Sequence, residues 1–397
     1  MLTAYVLDWL NLLVRWLHFT AGIAWIGASL YFVMLDNSLR KPANAAEGER
    51  GVFGELWAVH GGGFYCSQKF LTGPRGEPLS EHLHWSKWEA YTTWLSGIAL
   101  LVLIYWVGAN AFLIDRSVLE LTVPAAIAIS AGSLVAGWLV YDALCRLVRN
   151  QTVLALLLYV LLVAAAWGYG LVFGARAAYI HVGALIGTMM VANVFFHIIP
   201  GQKKMVAALR AGQPVDPLPG IIGKQRSVHN TYFTLPLLFI MISNHYPMTY
   251  GNAHAWAVLA VLMLAGALIR QFFVLRHTGR VVYALPAVGA ALLVGLMVVL
   301  APRTTRSASS GGDVTFAQVQ PIITTRCAVC HAEKPSFAGF VQPPAGVVLD
   351  TPERIRAAAP RIQQQAITTQ AMPLGNLTQM TPDERALLGR WFAAGSP

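Results

Sequence analysis

The sequence predicts an all-α fold in two parts: a polytopic membrane helix bundle of eight transmembrane helices, then a small, more polar helical domain. Three observations carry that expectation. Of the 397 residues, 56% are hydrophobic and only 12% charged, an apolar surplus that a soluble core does not need. The surplus is gathered in runs long enough to cross a hydrocarbon layer about 30 Å thick. Beyond residue 302 the runs stop and the composition turns polar.

The runs lie at 9–33, 89–108, 121–144, 152–173, 178–199, 230–246, 255–275 and 283–301. The sixth is short and polar at both ends. The N-terminus has neither a basic n-region nor a small-residue cleavage site, so the first run reads as a retained helix and not as a signal peptide. Lys and Arg in the connections set the orientation. With the N-terminus outside, the inward loops hold Arg40, Lys41, Arg50, Lys69, Arg75, Lys87, Arg146, Arg149, Lys203, Lys204, Arg210, Lys224, Arg226, Arg276 and Arg280, and the outward loops keep only Arg116 and Arg176. An even number of spans puts the C-terminus outside as well. This asymmetry accounts for the net charge of +10. The basic residues form no patch interleaved with aromatics, so membrane lipid is an expected partner and nucleic acid is not.

Residues 303–313, Arg-Thr-Thr-Arg-Ser-Ala-Ser-Ser-Gly-Gly-Asp, read as a flexible linker between a membrane domain, 1–302, and a C-terminal domain, 314–397. In the latter, Phe316 to Arg326 reads as an opening helix. Thr381-Pro382-Asp383-Glu384 is a capping box with Pro in the first turn. It starts a last helix whose Leu387, Leu388, Trp391 and Phe392 share an apolar face. Between the two helices stands Cys327-Ala-Val-Cys330-His331. Two thiols at this spacing can form thioethers to the vinyl groups of a haem, and the adjacent His presents a ring nitrogen to the iron. Zinc in the same place would need two further ligands nearby.

No His follows His331, which leaves Met372 and Met380 as candidates for the sixth ligand. Met372-Pro373 lies in a Gly/Pro-rich loop that can hold a thioether over a haem face, and Met372 is the expected ligand. Met380, just ahead of the capped helix, is expected to pack. The domain therefore reads as a small class I cytochrome c with one covalent haem c. Haem c is attached outside the cytoplasm, which is where the loop charges put this domain. Cys66 and Cys145 remain as free thiols on the cytoplasmic side.

Ionisable side chains inside a bilayer are costly and tend to be functional. The first span carries Arg15 and His18, with Asp36 at its inner end. The fifth carries His181, Asn193 and His197, the sixth is bracketed by His229 and His245, and His254 opens the seventh. On the predicted topology His181, His245 and His254 fall towards the outer leaflet. His197 and His229 fall towards the inner one, beside Lys224, Arg226 and Asn230. Within each span the two histidines stand about 24 Å apart in rise and about 160° apart around the helix. That spacing disfavours two stacked haems on one face. The inner group is the expected catalytic layer, with plain interhelical hydrogen bonding as the alternative for each His. The cytoplasmic stretch Trp57-Ala-Val-His60-Gly-Gly-Gly-Phe-Tyr65 joins it, because glycines after a His let backbone approach a ligand; the alternative there is a plain turn. His82 and His84, beside Trp85 and Trp88, read as a membrane-interface belt.

Several stretches together resemble the membrane-bound, cytochrome c-dependent urate oxidases of bacteria. They are Arg15-Trp16-Leu17-His18-Phe-Thr-Ala-Gly22-Ile-Ala-Trp25-Ile26-Gly27, the 57–65 stretch, Trp85-Ser-Lys87-Trp88-Glu89, His181, Asn193-Val-Phe-Phe-His197 and His229-Asn230-Thr-Tyr232. That family has eight spans and then a cytochrome c domain, so the resemblance covers nearly the whole chain. It implies oxidation of urate to 5-hydroxyisourate in purine degradation. Electrons would pass to cytochrome c and the respiratory chain, through a soluble cytochrome c or a terminal oxidase, and not directly to oxygen. It also implies the bacterial inner membrane, with both termini periplasmic. For that substrate His197, His229 and His60 are the expected catalytic residues, and Arg226, Asn230 and Tyr232 the expected urate-binding ones. The first-span pattern also looks like other small membrane haem proteins, which leaves open a haem b on His18 or on His181 and His245. Two rival functions stand beside this one: a quinol–cytochrome c type oxidoreductase, and a non-catalytic electron-transfer anchor for a partner subunit.

Overall fold

The computed structural model describes residues 2–301, 314–337, 340 and 342–396; the predicted linker, 303–313, lies outside the described residues. Among the described residues, five helical segments are long and apolar enough to cross a membrane: Tyr5–Ser38, Val123–Leu147, Gln151–Gly170, Ala175–Arg210 and Ala255–His277. They belong to α1 (Leu2–Ser38), α3 (Val123–Leu147), α4 (Gln151–Gly170), α5 (Ala175–Ala192, prolonged to Arg210) and α7 (Ala255–His277). Helix also forms over the three remaining apolar runs. These are α2 (Trp88–Leu100, prolonged by a π-helical turn to Trp106), α6 (Leu218–Ile242) and the shorter, apolar α8 (Ala284–Val299).

Two boundaries differ from expectation for physical reasons. The sixth run reads from 230, yet α6 starts at Leu218, where Pro219 occupies the first turn without needing an N–H partner. Its polar first turns carry helix beyond the apolar run. The fifth run reads to 199, yet the helix continues to Arg210. Pro200 has no N–H to give its ladder, and the turn before it relaxes into a π-helical segment, Asn193–Ile198. Asn193 and His197 both lie in that segment.

The all-α expectation needs one correction. Residues 52–70 form a β-hairpin, β1 (Val52–His60) paired antiparallel with β2 (Gly63–Phe70). Val, Phe, Trp and Tyr favour the pleat, and Gly61 and Gly62, at φ 59° and 80°, make the two-residue turn that such strands require.

The hairpin marks one end of the bundle. There Asp36 at the end of α1 is bridged by Lys69 of β2 and by Lys224 of α6 (2.8 Å), and Arg210 reaches the Glu81 carbonyl. At the opposite end Arg176 donates to Asn244, and the Tyr179 hydroxyl donates to the Thr249 and Ala255 carbonyls. Helix α5 is the axis of the packing. Leu185, Ile186, Met189 and Met190 are buried on it against Leu134 and Tyr141 of α3, Ile240 of α6 and Leu259 of α7. A Cβ on Gly183 would stand 2.6 Å from Ile240 and Met241, so glycine lets α6 close on α5. Helix α1 is the reverse case: Tyr5, Leu12, Trp16, Phe19 and Ile23 are exposed, an apolar surface suited to lipid tails.

The C-terminal unit has its own core, in which Val319, Ile323, Ile355, Met380, Leu388 and Trp391 are buried. α9 (Phe316–Ile323) and α10 (Pro382–Ala393) supply about half of it. The unit rests on the end of the bundle away from the hairpin. Ala371 packs against the bundle core, and a Cβ on Gly375 would come within 3.0 Å of the Ile114 carbonyl and 3.2 Å of the Ala111 carbonyl.

Candidate functional site

At the hairpin end, α3, α5 and α6 bring eight polar side chains together. Asp142 of α3 is the hub. Its Oδ1 accepts from Arg226 Nη2 and from His197 Nε2, each at 2.7 Å, and its Oδ2 accepts from Arg146 Nε at 2.7 Å. Arg226 is 2% exposed, which would be untenable without that carboxylate. Its Nη1 reaches Asn193 Oδ1 at 3.4 Å, its guanidinium lies 5.2 Å over the Tyr141 ring, and its Nε has no partner among the described residues. One carboxylate against two guanidinium groups leaves the cluster net positive, a setting that favours an anion.

The hydrogen-bond directions assign roles to the two imidazoles. Asn193 Nδ2 donates to the Tyr141 hydroxyl (2.7 Å) and to Asn230 Oδ1 (2.9 Å), and Asn230 Nδ2 donates to the Met190 carbonyl (3.1 Å). The Tyr141 hydroxyl is hydrogen-bonded to His229 Nδ1 at 2.9 Å, and the tautomer that continues the chain from Asn193 has the hydroxyl as donor. Neutral His229 then carries its proton on Nε2. His197 donates from Nε2 to Asp142, which leaves Nδ1 as a free base. One ring is poised to take a proton and the other to donate a hydrogen bond. Both are half-buried, so each has an open edge. Cys145, a buried free thiol, lies 3.7 Å from His229 Nδ1.

Of the expected inner-layer residues, the structure brings His197, His229, Arg226 and Asn230 together and places two others elsewhere. His60 ends β1 at the exposed tip of the hairpin, opposite Gly63, and the glycines after it serve the turn and not a ligand cradle. Tyr232 turns its hydroxyl to Gln271 of α7, away from the cluster. Asp142 and Tyr141 went unremarked in the sequence. The rule that singles out intramembrane ionisable groups applies equally to Asp142, which lies inside the third apolar run.

The residues considered for a second haem differ in their freedom. His181 is fully buried, with Nε2 on Ser130 Oγ (2.7 Å) and Nδ1 on the Ala177 carbonyl (2.8 Å). Both ring nitrogens are engaged, so it does not fit an iron without losing a bond. His18 Nδ1 contacts the Thr93 carbonyl (2.9 Å) and Ser96 Oγ (3.1 Å), which leaves Nε2. His245 is exposed, in a short turn after α6.

In the C-terminal unit the C-x-x-C-H residues fit a covalent haem. They close one turn, with the N–H groups of Cys330 and His331 both directed at the Cys327 carbonyl (3.2 and 3.0 Å). His331 Nδ1 donates to the Val347 carbonyl at 3.1 Å, which fixes the ring and leaves Nε2 for a metal. Burial pushes the Cys327 thiol up to about 12. Met380 is packed in the core at 3% exposure, whereas Met372 is half-buried in a loop tied by Arg385 Nη1 to its carbonyl at 2.9 Å. Among the described residues no group of three or more His, Cys, Asp or Glu side chains is placed to hold a metal ion.

No curated protein and no solved structure matches the chain. Residues 4–301, the whole helix bundle with its polar cluster, match the family described as Urate oxidase N-terminal, and the chain belongs to that family.

Proposed function

We propose that the chain oxidises urate to 5-hydroxyisourate at the hairpin end of the bundle and passes the electrons to a haem c on Cys327 and Cys330. The family assignment supports urate, and the convergence of Asp142, Arg226, His197, Asn193, Asn230, Tyr141 and His229 carries the site. In this reading all eight helices cross the membrane, the hairpin end faces the cytoplasm, and the C-terminal unit is a cytochrome c domain in the periplasm of a bacterial inner membrane. The loop charges support that orientation, because the basic loops lie at the hairpin end.

The chemistry balances without oxygen. Urate monoanion and water give neutral 5-hydroxyisourate, two electrons and one proton. The net positive cluster draws the anion, and Arg226 Nε and His229 Nε2–H are donors for its oxygens. His197 Nδ1 takes the proton, with Asp142 holding the ring and stabilising the imidazolium. A haem c, which Cys327 and Cys330 would hold by thioethers and His331 and Met372 through its iron, would supply one-electron acceptance. The path from cluster to haem is of the order of the bilayer thickness, about 30 Å, and a membrane haem b on His18 would shorten it. A soluble cytochrome c or a terminal oxidase receives the electrons.

Anaerobic addition of urate to the purified full-length protein tests the reading. Reduced haem c absorbance should appear with urate and not with quinol. Reduction by quinol alone would make the chain a quinol–cytochrome c oxidoreductase, and reduction by neither would make it an electron-transfer anchor.

A further inference from the structure

A second buried guanidinium lies outside the cluster. Arg270 of α7 is 5% exposed, and neither its Nε nor its Nη2 has a hydrogen-bond partner among the described residues. No carboxylate is paired with it among those residues; its electrostatic neighbour is the phenol of Tyr232, whose hydroxyl is committed to Gln271. An unpaired buried cation is among the least favourable groups a protein can hold. The two orphaned donors are also not an arbitrary pair. Nε–H and Nη2–H are the parallel donors on one edge of the guanidinium, the fork that binds two acceptor atoms side by side.

A second observation lies on the same stripe of α7. His277 is seven residues on, about 10 Å of rise and within about 20° of the same direction. It lines a cavity of about 110 Å³ with Asn37, Ser38, Arg40 and Thr278, where the ends of α1 and α7 meet at the hairpin end. Arg40 and His277 thus stand at an opening, and the unsatisfied fork of Arg270 stands two turns deeper.

We propose that Arg270 is an oxyanion-binding site entered from the hairpin end, and that it takes an anion presenting two acceptors side by side. The N–C–O edge of urate has that form, and so does a carboxylate. A lipid headgroup phosphate offers two oxygens as well. The urate source rests on the function proposed above; the carboxylate and lipid sources do not. The site is distinct from the Asp142 cluster, whose Arg226 has a carboxylate of its own.

The test uses full-length protein in nanodiscs of zwitterionic lipid, with equilibrium binding of urate and of benzoate as a carboxylate probe, and a second set of discs containing phosphatidylglycerol. Arg270→Gln should weaken binding of the accepted anion about tenfold or more, and Arg270→Lys, a cation without the fork, should fall between. Loss of urate or benzoate binding identifies a soluble anion. Loss of an Arg270-dependent thermal stabilisation by phosphatidylglycerol identifies a lipid headgroup. Both support the site. If Arg270→Lys retains haem c and elutes as wild type, yet urate, benzoate and phosphatidylglycerol all act on it as on wild type, the proposal is overturned. Benzoate binding that depends on Arg270 in a protein that urate does not reduce would sink the proposed reaction and leave this site standing.

Discussion

Helix α5 carries two histidines in unlike settings. His181 is fully buried among Tyr105, Tyr169 and Phe173, with both ring nitrogens engaged by neutral partners. His197, four turns on, lies in a π-helical turn, half-buried, with one nitrogen on a carboxylate and the other free. Residue type does not separate these two settings. The count of spent nitrogens does.

The largest effect expected from that difference is on rate. His197→Gln should lower urate-dependent haem reduction by about 10²–10⁴-fold, the usual worth of a positioned base. His181→Asn should change it only a few-fold while costing about 1–3 kcal/mol in denaturant unfolding, since the Ser130 O–H loses its acceptor while its oxygen keeps the bond from Trp106. The opposite pattern would break the comparison. Asp142→Asn reaches the same site through its charge. It leaves Arg226 buried without a carboxylate, and a loss of about 3–5 kcal/mol is expected. A variant as stable as wild type would mean that water, and not Asp142, neutralises Arg226.

The two methionines of the C-terminal unit repeat the contrast. Met380→Ala should destabilise the unit by about 2–5 kcal/mol and leave the methionine–iron charge-transfer band intact. Met372→Ala should remove the band with little effect on stability. If the band is lost with Met380 instead, the ligand assignment moves to it.

The smallest effect is on pH. Burial alone would raise the Glu384 carboxyl, but the Arg326 guanidinium and the Thr381 N–H outweigh it and hold it below the usual carboxylate range. A depressed carboxyl stabilises the fold above its unfolded value, near 4.3, and that stabilisation fades as pH falls further. Glu384→Gln should therefore flatten the acid limb of the unfolding profile, by under about 1 kcal/mol because the pair is partly exposed. An unaltered acid limb would show that the Arg326 pairing is energetically silent.

Sequence pattern made the apolar helices legible, because hydropathy is local. The Thr381–Glu384 capping box forms as its spacing predicts, with reciprocal bonds of 3.2 and 2.7 Å. The hairpin was less legible, since the glycines of its turn suggest a ligand cradle and a tight turn equally well. At the site, His197, His229, Arg226 and Asn230 could be grouped by depth alone. What depth cannot give is rotation about the helix axis, which turns Tyr232 to α7 and brings Asp142 and Tyr141 of α3 to the cluster. The π-helical turn before Pro200 shifts that rotation further, by an amount no residue spacing encodes.

The seating of the C-terminal unit on the bundle has a consequence for how strong that contact needs to be. Ala301 and Val314 are joined through the chain, so the unit meets its seat at the high effective concentration of a tethered partner, roughly millimolar for a short connection. A contact too weak to hold two separate proteins then keeps the unit seated most of the time. Gly375, pressed against the Ile114 and Ala111 carbonyls at φ +53°, is one place where that seat tolerates no side chain. An added methyl there would lower occupancy of the seat, and in the proposed reaction electron delivery to the unit would slow in proportion to the time spent away.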